Sequence, residues 1–260
     1  MNKIIIDDEN VYLEGDKSVS LKEETKFLDV KSLSLKVIKD TDLIIECNCK
    51  DVKISITVNV LKNVHINLFE IKKGGRYKIR YIYYLDSNSS LNCEKISDVH
   101  EAVEESIFNL NGEASEVIYN FKTISKSKEK YNFLVYHNAS KSVSDIKNNG
   151  VNIADGNLEF NVSSFVPNKV VKCKVKQSSR IINETSNECV IKPNLFIDEE
   201  DVIASHSALI GTFSSDEIFY LMSRGIEKKE AKRMLSKGFL LKGITKYKDE
   251  FNEIIDSYWG

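Results

Sequence analysis

From Ile4 to about Phe213 the chain alternates apolar and polar residues with a period of two, in short runs. Lys53, Ile54, Ser55, Ile56, Thr57, Val58, Asn59 and Val60 alternate strictly, and residues 77–84, 116–121 and 158–162 repeat the pattern with β-branched and aromatic side chains. Period two sends successive side chains to opposite faces, so these runs predict half-buried β-strands. Lys73-Gly74-Gly75, residues 86–90, Asn148-Asn149-Gly150 and Asp155-Gly156-Asn157 interrupt them with turn-forming residues. Strands recurring every 8–12 residues or so fit a sandwich, a barrel or a solenoid. The only prolines are Pro167 and Pro193, so nearly every residue keeps the amide that a ladder paired on both sides requires. No repeat of fixed length emerges, and alternation alone leaves the three architectures open.

After Phe213 the period changes. Ser214 followed three residues later by Glu217 has the spacing of a helix-capping box, and Ile218, Phe219, Leu221 and Met222 follow as an apolar face. Gly225 stands where a left-handed cap ends that helix. A second helix is expected from Glu227, with Ala231, Met234, Leu235 and Phe239 at helical spacing. A third, from about Thr245, sets Phe251, Ile254, Ile255 and Tyr258 in one stripe. Helices this short are marginal alone, so they must pack on the β-region or on a partner. The expected division is a β-domain over 1–213 and a helical subdomain over 214–260.

Composition narrows the function classes. Apolar residues make up 42% and charged residues 29%, as in ordinary globular domains, and the net charge of −2 gives no pull toward nucleic acid or an anionic membrane. No apolar run approaches the ~18–20 residues that span a bilayer. Residues 1–8 turn acidic after three isoleucines, unlike a signal-peptide core. A cytoplasmic protein with no nucleic-acid or membrane partner is expected. Cys47, Cys49, Cys93, Cys173 and Cys189 are odd in number and scattered, which indicates free thiols rather than a disulfide framework. Cys47 and Cys49 share a strand face, but two ligands do not make a metal site. Cys93 and Cys173 read as packing residues.

The most specific pattern lies between 193 and 239. It runs Pro193-Asn194-Leu195-Phe196-Ile197, Glu200-Asp201-Val202, Ser205-His206-Ser207-Ala208-Leu209-Ile210-Gly211, Glu217-Ile218-Phe219-Tyr220-Leu221-Met222-Ser223-Arg224-Gly225 and Glu230-Ala231. In order and spacing this resembles the C-terminal signature of SufD in the SufB/SufD family: Pro-x-Leu-Glu-Ile, Asp-Asp-Val, Ser-His-Gly-Ala-Thr-x-Gly, a Phe-Tyr-Leu-x-Ser-Arg-Gly helix and a Glu-Ala pair. Leu110-Asn111-Gly112-Glu113-Ala114, His137-Asn138-Ala139 and Ser142 look like earlier rungs of that family. The N-terminal stretch does not align, so the chain reads as a short member.

The resemblance implies a mainly β fold, a right-handed parallel β-helix with a C-terminal α-helical subdomain. It implies a non-enzymatic subunit of SUF iron–sulfur cluster assembly that pairs through its last rungs with a SufB/SufD paralogue or with itself. Its terminal helices would dock SufC, an ABC-type ATPase, with Phe219, Tyr220, Arg224 and Gly225 at the contact. Iron or a transient iron–sulfur cluster would sit at the subunit seam; no cofactor is expected to be tightly bound, and FAD is admitted in the complex. His206 matches the histidine associated with nascent cluster or iron, and imidazole is a suitable iron ligand. Its plainer role is a hydrogen-bonded interface histidine. SufB has a cysteine four residues after the motif proline and glutamates flanking the histidine. Ile197, Ser205 and Ser207 stand there, which places the chain with SufD. Cys189 is a weaker candidate ligand.

Phe219 and Leu221 have a second reading, as a cover for the open end of a solenoid. His137 is expected to be a buried structural residue, and His65 and His100 belong to no constellation. Two other functions compete: a minimal homodimeric SufB-like scaffold, and a β-helix carbohydrate-active enzyme, which needs catalytic groups in a cleft.

Overall fold

A computed structural model describes residues 2–8, 10–16, 18–27 and 30–259. Two antiparallel hairpins begin the chain: β1 (Asn2–Ile6) with β2 (Val11–Glu14), and β3 (Val19–Phe27) with β4 (Val30–Val37). The later strands are β5 (Thr41–Asn48), β6 (Asp51–Val60), β7 (His65–Leu85), β8 (Ser90–Leu110), β9 (Glu116–Ser125), β10 (Lys128–His137), β11 (Val143–Asn152), β12 (Asn157–Val166), β13 (Cys173–Asn183), β14 (Val190–Ile197) and β15 (Val202–Gly211). Their pairings are parallel and form two ladders. One stacks β1, β5, the first halves of β7 and β8, then β9, β11, β13 and β15. The other stacks β4, β6, the second halves of β7 and β8, then β10, β12 and β14.

Two parallel ladders that advance together require a chain returning once per turn, so the fold is a parallel β-helix. His65 pairs with Ser90, Ser90 with Glu116, Glu116 with Val143, Val143 with Lys174 and Cys173 with Val202, so successive coils take 25, 26, 27, 31 and 29 residues. That variation is why no fixed repeat is visible in the sequence.

Two expected turns resolve differently. Gly74-Gly75 lies within β7, at the corner where the strand passes between ladders; a Cβ on Gly75 would sit 2.0 Å from the Cys49 carbonyl oxygen. Asn148-Asn149-Gly150 is interior to β11, and Gly150 makes room across the coil, where a Cβ would meet Leu158 Cδ2 at 2.3 Å. Inside the coil, aromatic rings from successive rungs stack: Tyr83 on Phe108 at 4.9 Å and Phe121 against Tyr131 at 4.5 Å.

Helices α1 (Ser215–Met222), α2 (Lys228–Leu240) and α3 (Lys248–Trp259) follow. Ser214 caps α1 by accepting from the Asp216 amide at 3.3 Å. Gly225, with φ +82°, closes it: its amide donates to the Met222 carbonyl and the Ile226 amide to that of Leu221, the paired bonds of a left-handed helix stop. The helical segment lies along the side of the first ladder. Ile71, Ile96, Ile124, Val151 and Ile182 form an outer ridge packed against Leu240, Ile244, Phe251 and Ile255. Glu94 of β8 accepts from the Thr245 amide and hydroxyl at 2.9 and 2.8 Å, and Tyr247 donates to Glu46 at 2.9 Å. Met234, placed on the apolar face by spacing alone, is 42% exposed. Among the described residues no helix is long and apolar enough to cross a membrane.

Candidate functional site

Among the described residues β14 pairs only with β12 and β15 only with β13, so the coil ends in two unpaired main-chain edges. Ile203, Leu209 and Ile210 of β15 are 71%, 54% and 41% exposed. Edge strands in monomers are usually blunted by lysine, proline or a cover, because free amides and carbonyls template further pairing. β15 contains no lysine or proline. Nor do the helices cover it: α1 buries none of its residues and Phe219 points into solvent, which overturns the reading of Phe219 as a cover for the open end.

The register orients His206. It lies beside Gln177, which is buried and whose amide donates inside the coil to Ser164 Oγ at 2.8 Å and the Asn194 carbonyl at 3.1 Å. Paired residues of a parallel ladder project to the same side, so the His206 ring stands on the interior side of β15, at the mouth of the coil. It is exposed because no further rung covers it. Ala204 and Ala208 flank it on that side, while Ser205 and Ser207 project outward, Ser207 Oγ lying 3.1 Å from Ser178 Oγ. Ile197 packs with Val202 against Val166, Cys173 and Val175. Cys189 is part-buried against the interior core, and burial raises its thiol pKa. Among the described residues no three or more His, Cys, Asp or Glu side chains gather as a metal-holding group. His206 therefore stands at the mouth with no such group around it among the described residues.

The other histidines and cysteines take packing or surface positions. His137 is fully buried with its ring nitrogens 2.8 and 2.9 Å from the Ser142 and Ser144 hydroxyls, and burial lowers its pKa to about 4. His65 is exposed beside Ser90, and His100 lines an open cleft with Asp8 and Lys50. Cys47, Cys49, Cys93 and Cys173 are buried, the first two together in the interior core.

Strand assignment alone missed a charged network inside the coil. Glu70, Lys72, Lys95, Glu104 and Glu129 are each at most 1% exposed. Lys95 Nζ lies 2.8 Å from Glu104 Oε1 and 3.3 Å from Glu70 Oε2, over the Tyr81 ring at 3.4 Å; Lys72 pairs with the other Glu104 oxygen. Burial works against the Glu104 carboxylate, but Lys72 and Lys95 outweigh it and hold its pKa below the usual range. Glu129 differs. Thr123 and Tyr131 hydroxyls donate to its Oε2 at 2.8 and 2.7 Å, its Oε1 has no hydrogen-bond partner, and burial raises its pKa to about 7. Strand parity marks these positions: Glu70 and Lys72 alternate in phase with Ile66 and Leu68.

On α1, Phe219, Tyr220 and Met222 are 72%, 54% and 45% exposed, and the Arg224 guanidinium lies 4.7 Å from the Tyr220 ring centre. Exposed aromatics beside arginine have the composition of protein-contact anchors.

Residues 50–239 match the family described as SUF system FeS cluster assembly, SufBD core domain. The chain is 29% identical over 143 residues to the iron-sulfur cluster assembly protein SufD of Bacillus subtilis, covering 54% of this chain and 33% of that protein. It is 39% identical over 59 residues to SufD of Escherichia coli, covering 23% and 14%. It is 25% identical over 182 residues to the chloroplastic protein ABCI7 of Arabidopsis thaliana, covering 69% and 34%. The chain thus spans about a third or less of the length of these relatives.

Proposed function

Because the chain belongs to the SufBD core family of SUF iron–sulfur cluster assembly proteins, we propose that it works as a SufD-like assembly subunit with no reaction of its own. The observation that carries this reading is the open end of the coil, where two unpaired strands frame His206. A SufB-type paralogue or a second copy adds its terminal strands there and extends both ladders. Iron or a nascent cluster is cargo at that seam, with His206 as one ligand and the partner supplying the rest; Cys189, turned toward the core, is the lesser contributor.

The exposed face of α1 docks a SufC-type ATPase. Phe219 and Tyr220 supply the buried contact area and Arg224 a fixed cation, while Gly225 sets the turn that presents them. Because α1 continues into helices packed along the coil, force applied at that face reaches the β-helix through a folded connection.

Co-expression with a SufC-type ATPase and a SufB-type paralogue tests both surfaces through complex mass and iron content. Phe219→Ala with Arg224→Ala is expected to weaken ATPase binding at least tenfold, on the basis of ~1.4 kcal/mol or more for truncating interface anchors. His206→Ala is expected to lower cluster yield while the subunits stay associated. Unchanged ATPase binding, or a full cluster yield without His206, counts against the respective assignment.

A further inference from the structure

The helices pack on the outer face of the first ladder, and the outer face of the second lies across the coil from them. On the second ladder the inward residues form the packed core, so the alternate residues face solvent. The register sets Tyr84, Asn109, Tyr136, Phe165 and Phe196 in one outward column, with Ile82, Ile107 and Leu134 in the next. Tyr136, Phe165 and Phe196 stack nearly parallel at 4.8 Å between successive ring centres, so they turn their edges outward. Tyr84 is 38% and Phe196 52% exposed. A contiguous apolar strip of this kind marks a contact surface.

Beside the strip lies an excess of cations. Lys53 is the ladder partner of Lys78, like charges side by side, and neither has an acidic partner among the described residues. Lys130 and Lys192 share the one carboxylate of Glu159, at 3.3 Å each. The outward ring edges carry the positive rim of the aromatic quadrupole. Both features favour carboxylates. Stacked nucleic-acid bases need free ring faces, and both faces of Phe165 are occupied by its neighbours.

The strip crosses β7, β8, β10, β12 and β14, about 19 Å at ~4.8 Å per rung, which a helix of about 13 residues covers. Helical turns of ~5.4 Å nearly match the rungs. The chain uses this solution on its other side, where the ridge from Ile71 to Ile182 is covered by α2 and α3, helices of 13 and 12 residues. We propose that the outer face of the second ladder docks an acidic amphipathic helix of a partner protein. Its apolar stripe covers Ile82, Leu134 and the ring edges of Tyr136 and Phe165, and its carboxylates reach Lys53, Lys78, Lys130 and Lys192. This surface is separate from the open mouth and from α1, so the inference stands independently of both assignments.

The probe is a stapled helical peptide of about 14 residues with leucines at helical spacing and glutamates on its flanks, compared with its lysine counterpart by fluorescence anisotropy against the full chain. The acidic peptide is expected to bind at least tenfold more tightly, with the gap closing as salt is raised. Lys53→Glu with Lys78→Glu is expected to remove most of that preference. Tyr84→Ser with Phe196→Ser, at exposed positions, is expected to weaken binding at least tenfold in a chain whose urea midpoint shows it folded. Equal binding of the two peptides, no binding of the acidic one, or binding that survives the paired serine substitutions overturns the proposal. So does an oligothymidine that displaces the acidic peptide, which assigns the face to nucleic acid. Sedimentation that gives a dimer dispersed by Tyr84→Ser assigns it to a second copy and overturns the partner helix.

Discussion

Replacing Glu129 with glutamine isolates one buried proton. In the folded chain Glu129 is 1% exposed, two hydroxyls donate to one of its oxygens and the other has no hydrogen-bond partner. Lys72 from β7 is the charge that acts on it, and Lys72 is itself paired with Glu104 of β8. Burial moves the carboxyl pKa from 4.5 to about 7, so the folded chain keeps a proton that the unfolded chain has released. Stability from this group is fully present below pH 4.5 and is lost as pH rises through about 7. At about 1.4 kcal/mol per pH unit the whole effect is about 3 kcal/mol, of which about 2–3 kcal/mol falls between pH 5 and pH 8. Glu129→Gln keeps an acceptor for Thr123 and Tyr131 but does not titrate. Relative to the parent chain, the variant should gain about 2–3 kcal/mol from pH 5 to pH 8. With a urea dependence of about 2–3 kcal/mol per molar, the difference in midpoints should move by about 1 M, followed by circular dichroism. Other titrating groups are common to both proteins and cancel in the difference. A midpoint difference that stays constant across this range would refute a protonated Glu129.

Glu104→Ala leaves Lys72 and Lys95 without their shared carboxylate in the interior and should cost about 3–5 kcal/mol in urea unfolding, well beyond any surface substitution. Ending the chain at Phe213 should lower the thermal midpoint and increase dye-detected apolar exposure, because Ile71, Ile96, Ile124, Val151 and Ile182 lose their cover; an unchanged midpoint would show that the helices are only an appendage. For that reason the ATPase contact is better tested with substitutions on the exposed face of α1 than by deletion. Native-state thiol titration should detect Cys189 and spare the four buried cysteines, with all five reacting in denaturant; rapid modification of Cys47 or Cys93 would contradict the packed interior.

The bounds of α1 were legible before folding because they rest on local chemistry. Ser214 and Gly225 punctuate α1 by satisfying its terminal amides and carbonyls, and that needs only neighbours in the chain. His206 was singled out by the resemblance of its Ser-His-Ser-Ala run to the SufD signature, not by local chemistry. The interior charges were written in strand phase, but phase alone does not say that Lys95 from one rung will meet Glu104 across the coil. The exposed side of Met234 and the strand-interior place of Gly150 depend likewise on what lies opposite them.

The sequence by itself determined that strands give way to helices near residue 214 and which residues on each strand share a face, because alternation and capping act over a few residues. Tertiary structure decided the architecture, since from β5 onward strand partners lie 25–31 residues apart at varying intervals and only the closed coil selects among sandwich, barrel and solenoid. It also decided that the helices run along the side and leave the last rung bare. An unpaired edge exists only once every other strand has found its neighbour, and that is what brings His206 to an open mouth.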